Sequence, residues 1–226
     1  MVRSTVLVLL IGTLFGTHPP EVVAQDDEQA KLRAVTAVVD EMLAMSEQAV
    51  PRRILEEAHA IAVLPGVVKA GFLFAGRRGR GVLMVRRDTT WSAPAFLTIT
   101  GGSFGLQAGA SSTDVVLIFR NRGSVTSLID GKLTLGGTVS VAAGPVGRSA
   151  EAATDARLKA EIYSYSRSRG AFAGLSIEGA QLSFSQKNNR AVYGRDVSVH
   201  DILYRSIAFP PAADRLHALL HGIDAF

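Results

Sequence analysis

The sequence predicts an α+β fold: N-terminal helices packed on a many-stranded, mainly antiparallel sheet that curls or closes into a barrel, with C-terminal helices after it. Three observations predict this. Apolar residues near the N-terminus recur at spacings of three and four. Between about residues 61 and 194 the apolar runs are short, rich in β-branched residues and bounded by Gly, Pro or Asp. Helical periodicity then returns at the end. Strands do not alternate with helices, so a doubly wound parallel sheet is not expected. A sheet of this many strands curls rather than lying flat. With 47% hydrophobic and 19% charged residues, 226 residues can bury one sizeable core.

Taken in order, Met1-Val2-Arg3 is a short cationic start, and Val6 to Phe15 is an apolar run too short to span a bilayer. Val22-Val23-Ala24 then fits a cleavage before Gln25. The pattern predicts a secretory signal peptide over 1–24 and an exported, periplasmic or envelope-associated chain from 25 to 226. With no Cys there is no disulfide, no thiolate metal site and no lipidated cysteine, so a lipoprotein is not expected.

Residues 25–226 read as a single domain, helical over 26–60, β-rich over 61–194 and helical again over 195–226. Leu32, Val35, Val38, Val39 and Met42 form the apolar stripe of a helix over 26–49, and Asp26 with Gln29 resembles a capping box. The acidic polar face of that helix favours packing on the sheet over lying on anionic lipid. Pro51 suits the first turn of a second short helix ending near Ala58. Ile61–Leu64, Gly71–Ala75, Val82–Val85, Ala95–Thr100 and Val115–Phe119 read as separate strands. A short helix over Asn121–Ile129 stops at Asp130-Gly131. Strands return over Leu133–Ala143, Ile162–Ser166 and Leu175–Phe184. Helices over Val199–Ile207 and Ala212–Leu220 close the chain.

Four stretches stand out together: Lys69–Arg80 (KAGFLFAGRRGR), Thr90–Pro94 (TWSAP), Leu133–Arg148 (LTLGGTVSVAAGPVGR) and Ser164–Gly179 (SYSRSRGAFAGLSIEG). In order and spacing they make the sequence similar to the SYLF-domain family of lipid-binding proteins, over about Ile54 to Gly194. Eukaryotic members include yeast actin-patch proteins and vertebrate proteins with a Src-homology-3 module; many bacterial members are exported. The resemblance implies non-enzymatic binding of acidic phospholipid, phosphoinositides in the eukaryotic members, and actin binding in some fungal ones. For an exported protein the part that carries over is a cationic and apolar surface for anionic head groups.

The charges agree with a surface of that kind. The formal net charge is only +4, yet Lys69, Arg77, Arg78, Arg80, Arg86 and Arg87 follow one another with no acidic residue between, and 88–119 contains no Lys or Arg. Gly76, Gly79 and Gly81 flank three of these arginines and read as a hairpin tip. Arg167 and Arg169, before Gly170, form a second basic tip. Guanidinium forks suit phosphate. These eight residues are the candidate lipid-binding set, with Phe72, Phe74 and Phe172 as apolar anchors or core. The bland alternative is a solvated turn that keeps a Gly-rich hairpin soluble.

Other chemistry is less well supported by spacing. Gly101-Gly102-Ser103-Phe104-Gly105 matches a nucleophile elbow, with Asp114, Asp155 and His200 downstream, but a hydrolase needs a helix directly after Ser103 and the sequence there is Gly- and Ser-rich. His217 and His221 share a helix face at the spacing for one metal, without an accompanying Glu. Arg148 and Glu151 either pair to pin the turn after Gly147 or line a polar pocket. No phosphate-loop or dinucleotide motif is present and no cofactor is expected. The arginine run lacks interleaved aromatic residues, so nucleic acid is not the expected partner. The partners expected are an anionic phospholipid surface and, as the alternative, an envelope protein.

Overall fold

The computed structural model describes residues 20–45, 50–146, 160–168 and 171–224. Helix α1 (Pro20–Ala44) and the short α2 (Arg52–Glu56) lead into two very long strands, β1 (Ala60–Arg87) and β3 (Ala95–Phe119), with the two-residue β2 (Thr90–Trp91) between them. Then come α3 (Arg122–Ile129), β4 (Leu133–Thr134), β5 (Val141–Ala143), β6 (Ile162–Ser168), β7 (Ala171–Gly174), β8 (Gln181–Phe184), α4 (Gln186–Tyr193), α5 (Val199–Tyr204) and α6 (Asp214–Asp224).

The expected α+β architecture is present. Apart from the parallel β5–β6 pair, the ladders are antiparallel, and β6 and β8 both pair with β3 at different positions along its length. The strands alternate so that both faces are buried, which is why their apolar runs are nearly continuous. Ile61, Val63, Val82, Met84, Val116, Ile118, Tyr163 and Tyr165 point into one core, where Leu32, Val35, Val39 and Met42 of α1 meet Leu216 and Leu220 of α6. Ala62, Leu64, Leu83, Val85, Val115, Leu117 and Phe119 point into the other, against Val125 and Leu128 of α3 and Ile202 and Leu203 of α5.

Four expectations need correction. The separate strands merge: β1 continues through Pro65-Gly66 and through Gly76–Gly81 without a turn. The reversal comes instead at Asp88-Thr89, between paired Arg87 and Thr90, with Asp88 in left-handed backbone at φ 47°. Pro65 is tolerated because the β1–β3 register shifts between Leu64 and Val67. Gly79 and Gly81 mark not a tip but a crowded crossing. The β1–β3 ribbon folds back on itself, and a Cβ on Gly81 would lie 2.0 Å from the Val63 carbonyl oxygen.

Second, α1 starts at Pro20, so Asp26 and Gln29 are not its cap. Third, α4 lies inside the segment read as β-rich. Its inward face is polar: Asn189 donates to the Phe96 carbonyl (3.1 Å) and accepts its amide (2.7 Å). Apolar periodicity cannot find such a helix. Fourth, the expected strands at 133–143 and 175–184 are shorter than read. The first is two strands around a turn, and the second begins only at Gln181.

Candidate functional site

Folding the ribbon on itself leaves its middle, about residues 68–80 and 100–112, as an arm beyond both cores. Val68, Lys69, Ala70, Gly76 and Arg78 are exposed along one strand, and Thr100, Gly102, Ala110, Ser111 and Ser112 along the other. Val68, at 47% exposure, is one of two large apolar side chains so exposed among the described residues. The two strands of the ribbon hold no carboxylate anywhere over 60–87 or 95–113; Asp114 is the first.

The structure divides the eight candidate cations by what each one touches. Lys69, Arg77 and Arg78 lie on the arm and have no carboxylate partner among the described residues. Burial pulls the Arg77 guanidinium below its ordinary pKa. Arg80, at the root of the arm, faces Glu28 of α1 at 3.5 Å. Arg86 instead caps the C-terminal end of α2: its guanidinium donates to the carbonyls of Leu55 (2.7 Å) and Glu56 and lies 4.9 Å from the Trp91 ring centre. Arg87 donates to the Arg205 carbonyl at 2.7 Å. Arg167 is held by Asp114 (2.6 and 2.8 Å) and Glu41. Arg169 lies outside the described residues.

Two neighbours of the arm escaped sequence reading. Glu28 is buried. Burial raises its pKa, against the hydrogen bond from Asn188 (2.6 Å) and the Arg80 charge. Lys31 donates to the Pro65 carbonyl at 3.5 Å, and burial followed by the Arg80 charge lowers its pKa. Only the fold brings α1 beside β1, so no local signal marks either residue.

The other candidates are not assembled. Ser103 sits in the middle of β3, opposite Ala75, and the next helix begins at Arg122, so the strand–turn–helix elbow does not form. The Ser103 side chain and Asp155 lie outside what is described. Asp114 is paired with Arg167, and His200 stacks on Tyr204 with ring centres 5.1 Å apart. His217 is bonded to Thr90 Oγ1 (3.0 Å) and packs on Phe209; no three potential ligands cluster for a metal among the described residues. Arg148 and Glu151 fall outside the described residues, as do residues 1–19 of the predicted signal. Of the apolar anchors, Phe172 is buried in the first core, and the side chains of Phe72 and Phe74 are outside what is described.

The sequence model of a family described as Ysc84, Las17-binding protein actin regulator, matches residues 100–223. Protein YSC84 of Saccharomyces cerevisiae is 42% identical over 181 residues, which is 78% of this chain and 38% of that protein. An SH3 domain-containing protein of Schizosaccharomyces pombe is 37% identical over 213 residues, 92% of this chain and 49% of the relative. The SH3 domain-containing YSC84-like protein 1 of Mus musculus is 37% identical over 178 residues, 78% of this chain and 52% of the relative. The chain thus spans about half or less of the length of these curated relatives.

Proposed function

The chain belongs to the Ysc84 family, and from that premise we propose that it is a non-enzymatic docking module whose basic arm attaches it to anionic phospholipid. The observation that carries this reading is the arm itself: exposed Lys69 and Arg78 and half-buried Arg77 lie on a stretch of ribbon without carboxylates, beside exposed Val68. Each such cation near an anionic surface is worth about 1 kcal/mol, so three give a reversible attachment. Removing two then costs about 2 kcal/mol, or roughly thirtyfold in partitioning. If the chain is exported, as its N-terminal pattern suggests, phosphatidylglycerol and cardiolipin are the lipids it meets.

Co-sedimentation with phosphatidylglycerol vesicles tests this. We expect binding that rises with anionic lipid content, weakens with added salt and falls about thirtyfold in Arg77→Gln/Arg78→Gln. Salt-insensitive binding, or no loss in that variant, would contradict it. A second reading is favoured by the names of the relatives: several are called Las17-binding proteins, so a protein partner on the same arm is the alternative. Pull-down of a protein by lipid-free chain, with no vesicle binding, would favour that alternative.

A further inference from the structure

At the opposite end of the folded ribbon from the arm lies a cavity of ≈ 630 Å³. It forms where the end of α2, the β1–β2 turn, the start of α3 and the end of α5 converge. Its walls carry four arginines, Arg86, Arg87, Arg120 and Arg122, together with His59 and Tyr204. The sequence does not group these six residues, because they come from five separated elements or turns.

Arg87 and Arg122 are held by groups that leave most of their charge standing. Arg87 donates through one terminal nitrogen to the Arg205 carbonyl, and its Nε is buried without a partner among the described residues. The Arg122 guanidinium lies 5.0 Å from the Tyr204 ring centre and the Arg120 guanidinium 5.4 Å from that of Tyr163. Glu57 reaches Arg120 at only 4.0 Å. His59 Nε2 and the Tyr204 hydroxyl are also buried without a partner among the described residues. Three unsatisfied polar atoms around one cationic cavity are costly unless something supplies acceptors. A tetrahedral oxyanion supplies several at once and matches the guanidinium fork.

We propose that this cavity binds a small phosphate-bearing anion, held by Arg87 and Arg122, with His59 and Tyr204 completing its hydrogen bonds. Glu56, Glu57 and Asp88 also line the cavity and limit how much negative charge it accepts, which favours a monoester over a polyphosphate. His59 adds a recognisable signature. Burial, then Arg122 and Arg86, keep its pKa below the ordinary value, with Glu56, Glu57, Arg87, Asp88, Arg120 and Tyr204 the other titratable groups lining the same space. A bound anion opposes both arginines and draws a proton onto the ring. The anion therefore raises the His59 titration midpoint.

Calorimetric titration of the full chain with inorganic phosphate and with glycerol 1-phosphate, at constant ionic strength against chloride, is the test. The expected result is saturable binding that chloride does not mimic, weakened about tenfold in Arg122→Gln and unchanged in Arg77→Gln/Arg78→Gln. Imidazole proton resonances should shift with phosphate at His59 and not at His200. Arg122 sits on the exposed side of α3, so its variant folds; His59→Gln is the second variant and also weakens phosphate binding. Phosphatidic acid vesicles separate a lipid source of the phosphate from a soluble one: their binding drops in Arg122→Gln only if the head group enters the cavity. No phosphate heat, equal heat with chloride, or full affinity in Arg122→Gln would overturn the site while leaving the arm's attachment to vesicles untouched.

Discussion

Arg167 and Glu28 show how burial decides what a charge does. Arg167 is 19% exposed and its guanidinium is shared by Asp114 and Glu41, while Asp114 also accepts the Gly66 amide at 2.8 Å. Removing Arg167 leaves a mostly buried carboxylate without its cation. Arg167→Ala should lose about 2 kcal/mol, discounted from a fully buried pair, and leave vesicle binding unchanged; a melt and one sedimentation assay check both. Glu28 runs the other way. Its raised pKa means that the folded state favours the protonated carboxyl, so its contribution is full below about pH 4.5 and is lost as pH rises through the folded value. Glu28→Gln keeps an acceptor for Asn188 and releases Arg80. At pH 7 its melting temperature should not fall below that of the parent, and vesicle binding should strengthen. These roles were not legible in the sequence, because Arg86, Arg87 and Arg167 look like Arg78 until the fold supplies carbonyls and carboxylates.

At the scale of elements, periodicity carried most of the information. The stripe from Leu32 to Met42 is buried throughout, and α3 ends near Asp130 as its residues suggest, with Asn121 capping the Ser124 amide at 2.9 Å. What misled was glycine. Gly76, Gly79 and Gly81 have the composition of a turn, yet Gly79 and Gly81 serve a close approach between two halves of one strand, a contact that exists only once the ribbon has folded over. Gly81→Ala forces a Cβ into the Val63 backbone and should cost about 3 kcal/mol. For a domain of this size that lowers the melting temperature by roughly 6–12 °C. A stable Gly81→Ala protein would mean that the ribbon does not pack this tightly. The polar face of α4 was missed for the same reason: its partners, Phe96 and Glu28, are distant in sequence.

Across the whole molecule, the fold separates two cationic regions: an arm at one end and a ring of arginines at the other, with two apolar cores between. Stability should fall in mild acid. His59 and His217 both have lowered pKa values, caused first by burial, so each contributes stability above about pH 6.5 that is lost as pH falls through its folded value. Melting temperature should drop as pH falls below about 6.5, and His59→Gln with His217→Gln should flatten the curve; Glu28, whose folded carboxyl favours the proton, opposes the trend. The α+β class and the curled sheet were readable because composition and period set them. The concentration of charge in 69–87 was readable too, but which cations remain without carboxylate partners depends on the path of the chain in space.

Hydrogen exchange on the full chain, with and without phosphatidylglycerol vesicles, tests the central claim most directly, because it reports which backbone the bilayer covers. Vesicles should slow exchange over residues 68–80 and 100–112 and leave α5 and α6 unchanged. Protection confined to α1 or to the C-terminal helices, with the ribbon's middle exchanging as fast as in solution, would contradict it.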